Sequence, residues 1–411
     1  MSETRSAGAR LLGGFGPPLQ VRRLRLLLSG QVASRTGDLV FTVAIASHTL
    51  SLNRNGSLLA FVLLAQTIGT IAMLVLSGAV TDRLGARQVL LAADVLRAAA
   101  LATLSGQVLF GGTHPAVPVL VGVALGVGDG LFEPAFAVAF AQVTPAESRI
   151  GANALKSLTW RLSAIVGAAA GGVLVSTAGT ATAFALAAAS FLLAAAAVLR
   201  MGRWAEPAPE HRESILRDLR AGLGYLRSVP WLLALIATSG LVTSLVMAPS
   251  RALLPLVVTD RFGTPGLYSI LLVAEAFGGL LAALVIGRYG ALPRRGQVAV
   301  GGMLFYCLGY ITASQSANAV LSVAALAMGA MAITASAVAY VSILQTSVPE
   351  RYLGRVAAFD SILTIGGAPL VLAAVPVLSP YVDNSLMLAA VSAVAAASCL
   401  CCLTLRRLRV L

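Results

Sequence analysis

The residues best placed to do chemistry are charges standing inside long apolar runs: Arg35 and Asp38, Asp129 and Glu133, Arg251, and Glu275. A charge at the centre of a bilayer costs about 2.5–3.5 kcal/mol on insertion scales, so each must face protein or a wet passage. Gln31, Arg35, Asp38 and Thr42 recur at i, i+4, i+7 and i+11, one polar stripe along a helix. Asp129, Glu133, Phe136 and Phe140 repeat that spacing, so carboxylates that turn inward carry both phenyl rings into the same passage. Two carboxylates one turn apart resist being ionised together, which suits the pair to taking up and releasing a proton. Plainer readings stand beside these. Arg35 and Asp38, as i and i+3 neighbours, form an internal ion pair as readily as a substrate or proton site. Glu275 serves equally well as a hydrogen-bonded helix clamp, and Phe132, Phe136 and Phe140 could simply pack. Lys156, Arg161 and Asp360 lie nearer the ends of their runs, where reaching for the aqueous edge or gating contacts account for them.

Covalent and metal chemistry find little to work with. Of the three histidines, His48 and His114 fall near one end of an apolar run and His211 lies in the central connection; none has a Cys, Ser or Asp at a useful spacing. Cys399, Cys401 and Cys402 point different ways from one helix and Cys307 stands alone, so ordinary packing explains them. No G-x-x-x-x-G-K-S/T sequence is present. The chain is therefore expected to be no enzyme and to need no metal or organic cofactor, with the proton gradient rather than ATP as its energy source.

Composition says what kind of element holds these residues. Hydrophobic residues are 58% of the 411, charged residues 11%, and the mean hydropathy is +0.89. Soluble domains carry roughly 25% charged residues. Apolar runs of about 20 residues recur along the whole length, the pattern of helices crossing a membrane. Nothing alternates every second residue as barrel strands do. The fold class is therefore all-α, a polytopic membrane protein. Its spans fall near 26–50, 57–79, 88–109, 116–142, 152–176, 179–200, 231–258, 267–287, 297–315, 318–346, 354–378 and 385–405, a count of 12. The formal net charge of +13 does not point to nucleic acid: Lys156 is the only lysine, and the arginines sit at run ends without interleaved aromatics.

The placement of arginine orients the chain. Arg22, Arg23, Arg25, Arg83, Arg87, Arg149, Arg294 and Arg406, among others, fall in the tails and the even-numbered connections; Arg54 and Arg261 alone fall on the opposite side. That asymmetry places both termini in the cytoplasm and predicts a multi-pass protein of the cell membrane. Residues 1–25 form a cytoplasmic tail. A cleaved signal peptide is not expected, because the apolar run from Leu26 is too long and no small-residue cleavage site ends it. Residues 26–200 make a first bundle, 201–230 a cytoplasmic linker, 231–405 a second bundle and 406–411 a second tail. Within the linker, residues 212–223 place apolar side chains at helical spacing with arginines between them. They suit a helix lying on the membrane face or, equally, a solvated linker helix.

The halves echo one another. Gln66, Gly69 and Gly78 recur at the same spacing as Glu275, Gly278 and Gly287. Gln142, Pro145, Arg149 and Gly151 have near counterparts in Gln345, Pro349, Arg351 and Gly354. Duplication of a six-helix unit marks secondary transporters, with the substrate site near the midplane between repeats. Between the second and third runs lies a charged knot, Gly78-Ala79-Val80-Thr81-Asp82-Arg83-Leu84-Gly85-Ala86-Arg87. It reads either as a functional loop or as a solvated turn obeying the positive-inside rule.

With these motifs the chain resembles the major facilitator superfamily, and within it the branch of macrolide-efflux and siderophore-export permeases. The resemblance rests on the knot, on Asp94-Val95-Leu96-Arg97-Ala98, on Phe132-Glu133-Pro134-Ala135, on Gly151-Ala152-Asn153-Ala154, and on Leu344-Gln345 with Val348-Pro349 and Gly354-Arg355-Val356. It implies two pseudo-symmetric six-helix bundles rocking about a central cavity lined by the first and fourth spans. It also implies a conformational-switch role for Gly78, Asp82, Arg83, Gly85 and Arg87, with Arg83 and Arg87 pairing acids such as Asp94. Asp94 and Arg97 are then assigned to that loop network rather than to the cavity. Two departures stand out. The usual paired basic positions are Ala86-Arg87, and the fifth span has Gly167, Gly171 and Gly172 where related antiporters carry an added proline and glycine.

The function expected is proton-driven export of amphipathic small molecules by a monomer in the lipid bilayer. The alternatives are an importer or facilitator of a small metabolite, and a non-cycling, transporter-like sensor or scaffold. Acids beside aromatic rings suit a cationic or neutral lipophilic substrate. Arg35, Arg161 and Arg251 pull against a purely cationic preference.

Overall fold

The computed structural model of the 411-residue chain describes residues 20–52, 56–145, 148–202, 223–263, 266–289 and 294–410. The greater part of the linker expected at 201–230, including its helix, and the side chain of Asp82 lie outside the described residues. In lipid every backbone N–H and C=O must find an internal partner, so each long apolar run closes into a helix. In chain order the helices are α1 Arg22–Leu52, α2 Ser57–Leu84, α3 Ala86–Leu109, α4 Ala116–Val143, α5 Arg149–Arg200, α6 Pro230–Val242, α7 Ala248–Phe262 and α8 Gly266–Tyr289. They continue with α9 Arg295–Gln315, α10 Ala319–Ser347, α11 Glu350–Gly366, α12 Ala368–Leu378, α13 Asn384–Leu403 and α14 Arg406–Val410. Among the described residues there is no strand.

Ten helical stretches among the described residues are long and apolar enough to cross a membrane. They reconcile with the twelve expected spans for two physical reasons. Helix α1 carries Arg22, Arg23, Arg25, Arg35 and Asp38 and is too polar by composition alone. Helix α5 joins the fifth and sixth spans through 52 residues, broken only at Gly179, whose φ of 80° is a conformation glycine adopts without penalty. The seventh span is α6 and α7 joined by a π-helical turn at Thr243–Met247. The eleventh is α11 and α12, interrupted at Gly367.

Sequence explains several helix ends. The Asn318 side chain accepts from the N–H groups of Val320 and Leu321 to start α10, and Asp383 does the same from Ser385 and Leu386 for α13. The knot is not an extended loop. Helix α2 continues to Leu84, and the single residue Gly85, at φ 83°, turns the chain into α3.

The helices gather into two compact units, residues 1–45 with 65–209 and residues 46–64 with 210–411. In unit 1, α3 packs against α4 and α5. Its core joins Leu24, Leu27 and Leu28 of α1 to Leu90 and Ala93 of α3, the Phe132, Phe136 and Phe140 rings of α4, and Val198 of α5. Helix α1 meets both arms of α5. A Cβ at Gly167 would fall 2.7 Å from Leu39 Cβ, and one at Gly37 would strike Ser190. In unit 2, α10 packs on α8 and α9, and α9 on α13.

Candidate functional site

Three helices of unit 1 bring their charges to one cluster, and a fourth brings an amide. Helix α1 supplies Arg35 and Asp38, α3 Asp94 and Arg97, and α4 Asp129 and Glu133, while α2 adds Gln66. Arg97 is the hub. Its Nη2 donates to Asp94 Oδ1 at 2.5 Å, and its Nη1 donates to Asp129 Oδ1 at 3.2 Å and lies 3.9 Å from Asp38 Oδ1. The Gln66 amide donates to the other Asp129 oxygen at 3.1 Å. Arg35 Nη1 donates to Asp38 Oδ2 at 3.5 Å, and its Nη2 donates to Glu133 Oε1. Spacing on the helices makes this possible: the i, i+3 pairs Arg35–Asp38 and Asp94–Arg97 and the i, i+4 pair Asp129–Glu133 each share one helix face.

Packing fixes the hub. Arg97 is 1% exposed and its guanidinium lies between two rings, 4.6 Å from the Phe132 centroid and 4.4 Å from that of Phe191. Its stem crosses α4 at Gly128, where a Cβ would come within 2.5 Å of Arg97 Cγ. Burial then grades outward: Asp94 is fully buried, Asp129 and Asp38 are partly so, and Glu133 is the open end at 45% side-chain exposure. Two guanidiniums face four carboxylates, a formal excess of two negative charges. The Asp94 Oδ2 atom is buried and has no hydrogen-bond partner.

Several placements differ from the sequence reading. Asp94 and Arg97 were expected in the network of the knot; the arginine that holds Asp94 is Arg97, and the pair sits in the central cluster. The reason is position, since Asp94 lies two turns inside α3, beyond the reach expected of a boundary loop. Phe136 and Phe140 were expected to line the passage with the carboxylates. They are buried in the unit core, Phe136 stacked between Phe132 at 5.7 Å and Phe140 at 6.0 Å. A shared helical stripe is wide enough for Glu133 to face outward while those rings face in. Lys156 Nζ lies 5.2 Å from the Phe136 ring and 5.3 Å from Phe140, which accounts for that lone ammonium.

Sequence reasoning missed Trp160 of α5, whose ring lies 3.7 Å beneath the Arg35 guanidinium. The available signal was a large amphipathic aromatic, the one ring in residues 152–176, a turn from Lys156 and next to Arg161. In the knot, Arg83 is exposed and Arg87 half-buried. The fifth-span glycines keep a packing role without the motif's proline: Gly167 closes on Thr36 and Leu39, and Gly171 on Val40 and Val43.

Unit 2 builds something different from related positions. Glu275 of α8 accepts from Tyr306 at 3.1 Å and from Tyr310 at 3.0 Å, both on α9. The interval that carries Gln66 to Glu275 also carries Arg97 to Tyr306 and Leu101 to Tyr310. The Tyr268 hydroxyl lies buried nearby without a hydrogen-bond partner. Arg251 is exposed, and its field reaches both Tyr268 and Glu275. The helix approaches correspond too. A Cβ on Gly69 of α2 would fall 2.8 Å from the Val123 carbonyl of α4, and one on Gly278 of α8 would collide with that of Ala327 in α10. Asp360, the remaining acid within the later spans, accepts from Tyr340 at 2.6 Å.

Comparison with known proteins agrees with this architecture. The multidrug efflux pump Tap of Mycolicibacterium fortuitum is 27% identical over 370 residues, 84% of this chain and 87% of that protein. The enterobactin exporter EntS of Escherichia coli is 28% identical over 240 residues, 56% of each. Among solved structures, the peptide transporter PepTSo of the POT family superposes with a TM-score of 0.77 at 13% identity over 93% of this chain and 97% of that one. A bacterial homologue of the iron transporter ferroportin gives 0.68 at 17% identity over 93% and 97%. These two speak to the fold alone. Residues 13–409 match the family described as transmembrane secretion effectors. The chain is thus a multi-pass membrane protein of that family in the major facilitator superfamily, a transporter and not an enzyme.

Proposed function

We propose that this protein exports amphipathic small molecules across the cell membrane by proton-coupled alternating access, as a monomer with both termini in the cytoplasm. Similarity to an efflux pump and a siderophore exporter supports the direction of transport. The arginine asymmetry supports the orientation. The observation that carries the coupling is the excess of acid in the unit 1 cluster. Four carboxylates share two guanidiniums inside membrane-spanning helices, so a proton arriving there neutralises charge rather than creating it.

Each acid also ties helices together. Glu133 joins α4 to α1 through Arg35, and Asp129 joins α4 to α3 through Arg97 and to α2 through Gln66. A proton on Glu133 removes the ionic half of the α1–α4 tie, and a proton on Asp129 weakens the ties to α3 and α2. The groups facing these two acids are Arg35, Asp38, Gln66, Asp94 and Arg97, with Lys156 adding its charge near Arg35. The knot from Gly78 to Arg87 serves as the conformational switch, and Arg251 with Glu275 forms the secondary charge site of unit 2.

The test is dye accumulation in everted vesicles energised by a proton gradient, with and without an uncoupler. Asp129→Asn and Glu133→Gln are expected to abolish uncoupler-sensitive accumulation while membrane levels stay unchanged. Full uncoupler-sensitive transport in both single variants and in the double variant would remove the assignment.

A further inference from the structure

Arg35 is held in a way that describes the ligand able to replace it. Its planar guanidinium lies 3.7 Å over the Trp160 ring while its Nη2 donates to Glu133. An aromatic face and a carboxylate at right reach are what a delocalised organic cation needs for recognition. Both partners are open, Trp160 at 43% exposure and the Glu133 side chain at 45%, whereas Arg97, Phe132 and Phe136 are sealed. With Lys156, one turn from Trp160 on α5, counted beside Arg35 and Arg97, the four carboxylates still leave one net negative charge, so the local field favours an arriving cation over an anion. On sequence, Arg35 argued against a cationic substrate; in the structure it is the resident cation of a cation site.

We propose that Trp160 and Glu133 form a subsite for planar, delocalised organic monocations, which Arg35 fills when no ligand is bound and vacates when one enters. The displaced guanidinium keeps Asp38, its second partner 3.5 Å away on α1, so release from Glu133 does not strand a buried charge. Trp160 is therefore the specificity-determining residue, and Arg35 sets a threshold that weakly stacking or uncharged molecules do not cross. This rests on the exporter reading of the same site, and it supplies that reading with a substrate class.

The experiment measures binding in nanodiscs at fixed pH with no gradient, so it does not depend on proton coupling. The chain has three tryptophans. A background with Trp204→Phe and Trp231→Phe leaves Trp160 as the sole reporter. Ethidium is the probe, with a neutral phenanthridine of similar shape as control. Ethidium is expected to quench Trp160 fluorescence saturably and the neutral compound not to. Read from ethidium's own fluorescence, Arg35→Gln should tighten binding by about tenfold, because the competitor for the aromatic face is gone. Glu133→Gln and Trp160→Leu should each weaken it by about tenfold or more, with Trp160→Phe intermediate. Arg35→Lys, which keeps the charge but not the planar fork, should tighten binding by a smaller factor and covers the case in which the glutamine variant does not fold. Unchanged or weaker ethidium binding in the folded Arg35 variants overturns the proposal. So does equal quenching by the neutral compound. Ethidium binding indifferent to Trp160→Leu, beside gradient-driven export that still needs Glu133, would overturn it while leaving the exporter reading intact.

Discussion

Corresponding places in the two units hold opposite solutions to the same problem. In unit 1 the positions facing Gln66 carry Arg97 and its acids, a network in which each guanidinium has more than one carboxylate to choose from. In unit 2 the polar residue is itself the acid, Glu275, and it is met by two tyrosine hydroxyls from α9. Hydroxyls satisfy one carboxylate without offering a charge that can move elsewhere. On the proposed function the duplicated scaffold separates duties: unit 1 would exchange partners as protons and ligands come and go, and unit 2 would clamp. The close helix crossings at Gly69 and Gly278 are kept in both units, so the difference lies in side-chain chemistry and not in backbone design.

The sharpest way to break the comparison is at the hub. Arg97→Ala leaves Asp94 buried without its ion partner and should cost about 3–5 kcal/mol, read as unfolding in mixed micelles. Arg97→Lys should not restore full stability, because an ammonium cannot fill the planar slot between Phe132 and Phe191. Next comes Gly128→Ala, which presses a methyl on the Arg97 stem. It should cost about 1–3 kcal/mol and lower export more than an alanine at the open Gly106. In unit 2, Tyr306→Phe and Tyr310→Phe should each cost about 1 kcal/mol and leave uncoupler-sensitive export in place. Loss of export in either single variant would give the clamp a share in coupling.

The smallest effect is expected outside the membrane, at the start of α13. The Ser385 hydroxyl and the Leu386 and Ser385 N–H groups, with Arg261 nearby, hold the Asp383 carboxyl below its usual range. A depressed folded-state value means that this cap stabilises above the ordinary carboxylate range and is lost as pH falls below it. Asp383→Ala should therefore cost about 0.5–1 kcal/mol near neutral pH, and the difference from the unmutated protein should vanish in acid.

How much of this was legible beforehand depends on what each feature needs. The spans follow from apolar length alone, and α3, α4, α8, α9 and α10 end within a few residues of the expected bounds. That Arg35 and Asp38 share one face of α1, and Asp129 and Glu133 one face of α4, was readable because helical spacing aligns them. The partners were not. Nothing in the spacing says that Arg97 of α3 reaches across to Asp129, since that depends on Gly128 leaving room for the arginine stem. Phe136 and Phe140 misled because an i, i+3, i+4 stripe fixes a side of the helix but not which edge of it is buried. Trp160 escaped because its meaning comes from Arg35, far away in sequence.

The central claim is that unit 1 exchanges protons for ligand and unit 2 does not, and counting protons tests it most directly. Ethidium, added to purified protein in weakly buffered detergent at a concentration that saturates each variant and a pH where the cluster acids carry protons, should release protons to a pH indicator, undiminished in Glu275→Gln and absent in Asp129→Asn combined with Glu133→Gln. Release that survives the double variant, or that disappears with Glu275→Gln, would contradict the account.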